Sequence, residues 1–247
     1  RYEGLSYTAP VGTDVGDYDG EFTGEVVIID EASGADVSAS YDVISFVAGQ
    51  LTITPKEVTV TTGSAEKEYD RTELTEGSAS IEGLVAGETA TVTATGSRID
   101  AGSSSNTYDI NWGNTNPANY TLTENLGTLT VRPVSSTVMV SIEGNTQTCP
   151  YDGTEQTVTG YTASSNNPLY TAADFSFSGS ASASGTNAAI YSMGLNSGQF
   201  TNTNSNFTSV VFTIEEDGWL EIIPISSTVT VYISGSSTAY EYNGEER

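Results

Sequence analysis

Apolar residues recur at every second position in three stretches that each follow a proline: "PKEVTVTTG" (55–63), "PVSSTVMVSIEG" (133–144) and "PISSTVTVYISG" (224–235). Val58 and Val60, then Val138, Val140 and Ile142, then Val229, Val231 and Ile233 carry the apolar phase, with Thr and Ser prominent between them. A period of two with hydroxyl residues on the other face predicts a half-buried strand. Beyond each run stands a turn signal: "EYDRTEL" from Glu68, "PYDGTEQ" from Pro150 and "EYNGEER" from Glu241. Asp-Gly and Asn-Gly tolerate the positive φ of tight turns. Tyr69, Asp70, Tyr151, Asp152, Gly153, Tyr242, Asn243 and Gly244 therefore read as structural turn residues. Each tyrosine is expected to pack its turn against the core through the ring, with the hydroxyl at the rim.

Other landmarks repeat as well. "PVGTDVGDY" (10–18), "GSRIDAGSSSNTY" (96–108) and "ASGTNAAIY" (183–191) align on Asp14, Asp100 and Asn187, each followed by a small residue and a later tyrosine. A closing strand recurs as "GQLTIT" (49–54), "GTLTV" (127–131) and "GWLEII" (218–223), and "NTNPANYTLT" (114–123) matches "NTNSNFTSVVFTI" (202–214) as an Asn-rich loop entering a strand. These marks divide the chain. Residues 1–54 carry the second half of a module, 55–132 and 133–223 are complete modules, and 224–247 hold the first strand and turn of a further one. Helical periodicity is nearly absent; "LYTAADF" (169–175) predicts a single turn at most.

Composition narrows the chemistry. The 247 residues include 32 Asp and Glu, 7 Lys and Arg and no histidine, for a formal charge of −25. With no cluster of basic residues to displace counterions from phosphates, nucleic acid is excluded as a partner, and an anionic membrane surface is disfavoured for the same reason. No apolar run is long enough for a membrane span, and nothing at the N-terminus reads as a signal peptide, which an excised fragment would also lack. Cys149 is the single cysteine, so there is neither a disulfide framework nor a Cys/His zinc site. Its matched positions, Lys67 and Tyr240, make it an ordinary strand-end residue.

The lack of histidine removes Ser-His-Asp and Cys-His catalysis. Lys56 and Lys67 are the only lysines; both lie in one module, so a repeated Lys–Asn isopeptide cross-link is not expected. "EED" (215–217) reads as an acidic hairpin turn between "VVFTI" and "WLEII" rather than half of a glycosidase pair. "GDYDGEF" places Asp17, Asp19 and Glu21 at alternate positions but lacks the full calcium-loop pattern, so these acids are assigned to a strand's solvent face. No metal and no cofactor are expected. The non-periodic aromatics Trp112, Tyr120, Tyr161 and Tyr170 are the candidates for stacking on sugar rings, Trp112 foremost; Trp219 opens a closing strand and is assigned to the core.

"YDGTEQTVTGYTASSNNPLYTAADFSFSGSASASGTNAAIYSMGLNSGQFTNTNSNF" resembles the MBG and YDG-type repeat modules of large bacterial surface proteins, especially those of gut Firmicutes. The resemblance covers most of 133–223, extends to 55–132 and touches 1–54 in part. "YDRTEL" departs from it, with Arg71 in place of Gly, and "YEGLSY" (2–7) does not align with the turn. The resemblance implies tandem all-β modules in cell-surface adhesins, with mucin or glycan adhesion, and no catalytic residues. The fold expected is an elongated tandem array of small Ig-like β-sandwich modules, with β-grasp-like modules as the alternative; the missing helix favours the sandwich. The function expected is that of a non-enzymatic stalk or adhesive segment on a bacterial cell surface, with host glycoprotein or mucin glycans as candidate partners. Direct glycan binding is the alternative, and a glycan-active enzyme the remote one. The ragged ends suggest strand complementation: the tail of one molecule completing residues 1–54 of another, with Val229, Val231 and Ile233 facing Val26, Ile28 and Phe46.

Overall fold

The computed structural model describes residues 1–41 and 45–246. The described residues are all-β, with strands joined by turns and four single 3₁₀ turns: Ser38–Ser40, Pro117–Asn119, Ala172–Asp174 and Ser197–Gln199. Ala172–Asp174 is the turn expected within 169–175. No helix among the described residues is long and apolar enough to cross a membrane, a statement that leaves strands aside. Two compact units, Arg1–Val134 and Ser135–Arg247, divide the chain.

Within the first unit, residues 55–132 contribute ten strands in order: Lys56–Thr62, Ala65–Glu68, Leu74–Thr75, Ala79–Glu82, Thr91–Ala94, Ser97–Arg98, Gly102–Ser105, Tyr108–Asn111, Tyr120–Asn125 and Thr128–Arg132. The first strand lies between the fourth, antiparallel, and the ninth, parallel. The tenth lies between the seventh, antiparallel, and the second, parallel. The third pairs with the sixth and the fifth with the eighth. Val58 and Val60 from one three-stranded sheet and Leu129 and Val131 from the other are fully buried, with Tyr69 and Leu74 beside them. The alternating phase of "EVTVTT" thus becomes the inner face of a sandwich, as a period of two requires.

In the second unit the same plan recurs strand for strand. The first strand, Val138–Gly144, lies between Tyr161–Ser165, antiparallel, and Val210–Glu216, parallel. The tenth, Trp219–Ile223, lies between Ala189–Ser192, antiparallel, and Gln147–Pro150, parallel. Gln156–Thr159 pairs with Ser182–Gly185, and Phe175–Phe177 with Phe200–Asn202. Val138, Val140, Ile142, Leu220 and Ile222 form the buried centre. The segment 215–217 corrects the hairpin expected there. Val210–Glu216 and Trp219–Ile223 belong to different sheets, so the acidic residues turn the chain across the core. Trp219 is corrected too: Leu220 and Ile222 occupy the buried phase, which leaves the indole half-exposed on the outer face.

Residues 1–54, in the first unit, hold a partial version. Ser6–Thr8 pairs with Glu21–Thr23 as the fifth strand does with the eighth, and Gly16–Asp19 pairs with Gln50–Ile53 as the seventh does with the tenth. Tyr2–Glu3 adds a short pairing with Val27–Ile28. No hydrophobic side chain in the described part of 1–54 reaches full burial, because nothing there corresponds to the first strand with its inward valines. The tail 224–246 forms no strand, and Val229, Val231 and Ile233 are 81%, 73% and 92% exposed.

The register corrects one landmark. Tyr18, Ser104 and Tyr191 face Leu51, Leu129 and Leu220 across equivalent ladders. Ser104, not Tyr108, is therefore the counterpart of Tyr18 and Tyr191; Tyr108 sits on the next strand. The closing-strand glycines have a steric cause. A Cβ on Gly127 would strike the Gly63 carbonyl, and one on Gly218 would stand 2.6 Å from the Asn145 carbonyl oxygen. Only glycine lets the backbones approach this closely.

Candidate functional surfaces

The repeated Tyr-Asp-Gly element is a turn built by one carboxylate or amide. Asp70 Oδ1 accepts from Thr72 N at 2.8 Å, Asp152 Oδ1 from Thr154 N at 2.8 Å, and Asn243 Oδ1 from Glu245 N at 3.1 Å. This i to i+2 bond is the Asx turn. The residue between is left-handed in all three: Arg71 at φ 66°, Gly153 at 80° and Gly244 at 79°. Arg71 is the one non-glycine residue with positive φ among the described residues.

The two carboxylates differ in their surroundings. Lys67 Nζ stands 2.7 Å from Asp70 Oδ1 and, with Thr72, holds that carboxyl well below the usual range. Asp152 has no such lysine, since Cys149 occupies the place of Lys67. The backbone N–H and hydroxyl of Thr154 lower its pKa, with a smaller contribution from Gln156. The tyrosines do not share one role. Tyr69 is buried as expected, whereas Tyr151 is 36% and Tyr242 97% exposed, which corrects the expectation that each ring packs its turn onto a core.

Of the stacking candidates, the fold brings Trp112 and Tyr120 together, their rings near parallel (20°) with centroids 6.3 Å apart. Both are half-buried. The Tyr120 hydroxyl donates to Glu88 and accepts from Val85 N at 3.0 Å, which fixes the Tyr120 ring. Burial and the Glu88 carboxylate raise the Tyr120 pKa. Asn114 braces the same loop, accepting from Thr89 N at 2.7 Å and donating to the Gly87 carbonyl at 3.1 Å.

Tyr161 and Tyr170 enter a different structure. Tyr161 contacts Phe177 and Phe200, and Tyr170 contacts Phe175 and Phe207, with Phe212 closing the cluster against Phe175 and Phe200. Tyr170 is only 3% exposed, and its hydroxyl donates toward Asn202 Oδ1 at 3.0 Å and the Asp174 carbonyl at 3.1 Å. Burial, reinforced by Asp174, pushes its pKa up to about 12. Tyr170 is therefore a core residue and leaves the set of surface candidates. Tyr161 is half-buried, with a pKa raised by that burial.

The acidic candidates have local partners. Asp17 accepts from the Thr52 hydroxyl at 2.5 Å and Asp19 from Gln50 Nε2 at 2.9 Å, both on the exposed face of their ladder. Glu216 accepts from the Trp219 indole N–H at 3.0 Å, and Asp217 accepts from Leu195 N at 2.6 Å and from the Ser192 hydroxyl. Among the described residues no three His, Cys, Asp or Glu side chains group as metal ligands would. Cys149 is a free, partly exposed thiol on the strand Gln147–Pro150.

One contact escaped sequence reasoning. Asn119 Oδ1 accepts from Val15 N at 2.8 Å and its Nδ2 donates to Asp14 Oδ1 at 2.6 Å. The repeated aspartate of residues 1–54 is thereby tied to the Asn-rich loop of residues 55–132. The recurrence of both motifs was visible in the sequence, but nothing local joined them.

Residues 58–130 match the family described as the MBG domain (YGX type). The match covers nearly all of the ten-strand plan of residues 55–132, so this part of the chain is similar to MBG repeat modules. No curated protein and no solved structure matches the chain.

Proposed function

Proceeding from the similarity of residues 58–130 to MBG modules, we propose that this polypeptide is a non-catalytic repeat segment of a bacterial cell-surface adhesin, acting extracellularly as a stalk or spacer. The observation that carries the reading is the parallel pairing at both ends of each complete copy. The chain enters each copy on a strand bonded parallel to the ninth and leaves on a strand bonded parallel to the second. Pulling such a module by its ends slides parallel neighbours past each other. The ladder bonds then share the load instead of opening one at a time, as they would if a hairpin were unzipped. The acidic, lysine-poor composition suits a solvated segment that does not self-adhere through charge.

Single-molecule stretching of the chain between inert handles tests this. Two discrete unfolding steps, each releasing about 25–30 nm of chain at roughly 3.6 Å per residue, are expected. A chain that extends smoothly without steps rejects the stalk reading.

The Trp112–Tyr120 pair supports a second reading, direct binding of mucin or another host glycan, because a half-exposed aromatic pair whose tyrosine is bonded to Glu88 offers a ring-stacking face with a carboxylate at one end. Glycan-array binding that disappears in Trp112→Ala would favour it. Hydrolysis of any glycan by the purified chain would overturn both readings.

A further inference from the structure

The two complete copies carry load through ladders of matching length. The first and ninth strands meet over 56–61 and 120–125 in one copy, and over 138–143 and 210–216 in the other. The second and tenth meet over 65–68 and 129–132, and over 147–150 and 220–223. Behind these ladders the cores differ in two independent ways. In the first copy Arg98 Nε, Ser104 Oγ and Asn106 Oδ1 are buried without a hydrogen-bond partner, and among the described residues 133–223 hold no such atom. Each such group gives up its bonds to water on folding without replacing them. In the second copy Phe200 is 5% exposed and touches the rings of Phe175, Phe177 and Phe212, with centroids 6.0, 4.9 and 5.7 Å away. The matched ladders put Val92, Ala94 and Leu122 at those three positions in the first copy, where Leu122 is 38% exposed. The second copy therefore seals with aromatic area a region that the first fills with smaller side chains.

We propose that the two copies yield to tension in a fixed order: residues 55–132 open first and act as the extensible element, while 133–223 stay folded and hold the load. This rests on the stalk reading above and adds to it a division of labour between the copies. Joined in series on one chain, both feel the same force. Their load-bearing ladders have the same pairing and nearly the same length, so the ladders do not choose between them. The choice falls to what each core loses as its parallel strands slide apart. In the first copy, sliding lets water reach three polar atoms that the folded state leaves unpaired, which lowers the cost of opening. In the second, it exposes a cluster of aromatic rings and forfeits their burial.

Stretching the 247-residue chain at constant force reads the order directly. The second copy is longer, 91 residues against 78, so its step exceeds the other by about 5 nm at roughly 3.6 Å per residue. The short step should come first, with a lifetime at least about tenfold shorter than that of the long step. Phe200→Ala should shorten the long-step lifetime at least about tenfold and mix the order. Ser104→Ala removes one unpaired hydroxyl and should lengthen the short-step lifetime about threefold or more, leaving the long step unchanged. Should Phe200→Ala fail to fold, Ser104→Ala alone decides. Two steps with the long one first, or in random order, would overturn the fixed order and leave the stalk reading standing. A short-step lifetime that Ser104→Ala does not change would overturn the cause assigned to it. Smooth extension without steps would remove both the order and the stalk.

Discussion

The copies at 55–132 and 133–223 share every strand pairing yet fill three equivalent positions differently. Arg98, Ser104 and Asn106 in the first correspond to Gly185, Tyr191 and Met193 in the second, as the ladders and the paired bonds Asn106 N to Gly127 O and Met193 N to Gly218 O establish. Arg98 Nε, Ser104 Oγ and Asn106 Oδ1 are the buried side-chain polar atoms without a hydrogen-bond partner among the described residues. The second copy places a glycine, an aromatic ring and a thioether there. The same backbone is thus closed by polar side chains in one copy and by apolar packing in the other, and the exchanges are coupled.

At the first site, volume moves between neighbours. A Cβ on Gly185 would collide with the Tyr191 ring, as one on Gly12 would with Tyr18. Where the ring is absent, at Ser104, the opposite position carries Arg98, whose guanidinium donates to the Ala101 carbonyl at 2.9 Å. At the second site an amide changes strand. Asn106 Nδ2 donates to the carbonyls of Gly63 (3.0 Å) and Glu76 (2.8 Å). In the other copy the position of Gly63 is Asn145, whose Nδ2 reaches the Thr159 carbonyl at 2.7 Å, leaving Met193 free to be apolar. Each copy keeps one amide for the same turn and supplies it from opposite sides.

Breaking the second exchange should have the largest effect. Asn106→Met leaves the part-buried carbonyls of Gly63 and Glu76 without their amide donor and should cost the 55–132 module about 2–4 kcal/mol. Adding Gly63→Asn should restore a substantial part, because the new amide enters from the side that Asn145 uses. Denaturant titration followed by module-resolved hydrogen exchange would read both, and a double variant no more stable than the single would reject the equivalence.

Next comes the left-handed turn residue. Gly153→Val should destabilise its module by about 1–3 kcal/mol. A Cβ there meets nothing closer than the Tyr151 hydroxyl at 3.9 Å, so the cost is conformational and not steric. Arg71→Gly, at the same place in the other copy, should be stabilising by about 0.5 kcal/mol, the gain in φ being partly offset by a looser unfolded chain. Equal effects of opposite sign would contradict this asymmetry. An unchanged melting temperature for Gly153→Val would reject the turn's structural role.

The exchange of ring and guanidinium should appear as non-additivity. Ser104→Tyr alone crowds Arg98 and should be destabilising, while Arg98→Gly/Ser104→Tyr should recover about 1–2 kcal/mol of coupling in a double-mutant cycle. Additive single effects would dissolve the pairing.

The smallest effect is electrostatic. Asp70 and Asp152 both have lowered pKa values, so the stabilisation from their turns is present above the unfolded carboxyl pKa and is lost as pH falls through the folded one. Lys67 makes the depression deeper at Asp70. Cys149→Lys should therefore move the Asp152 carboxyl titration, followed by carbon NMR, to lower pH. No movement would mean that the lysine at this position does not act on the turn.

Much of the fold was legible in the sequence, and the reasons are local. The strand at 138–144 follows from alternation of Val138, Val140 and Ile142 with polar residues, and the turns follow from Asp or Asn placed two residues before the amide it accepts. The aromatic candidates were less legible. Tyr170 and Tyr161 look alike in their surroundings, yet one is sealed by Phe175 and Phe207 and the other is only half covered. Nor could local spacing align Ser104 with Tyr18, because the match rests on a ladder with Leu129.

The sequence by itself determined the phase of the first strand of each complete copy, the order of the elements and the Asx turns, since these depend on the side-chain period and on bonds between residues two apart. Only the tertiary structure decided that Val210–Glu216 and Trp219–Ile223 separate into two sheets, that Trp219 faces outward while Tyr170 is buried, and that Arg98 stands in for a ring. Those outcomes depend on contacts between residues distant in the chain. There one volume or one amide can be supplied from either side of a contact, so the local pattern alone leaves the choice open.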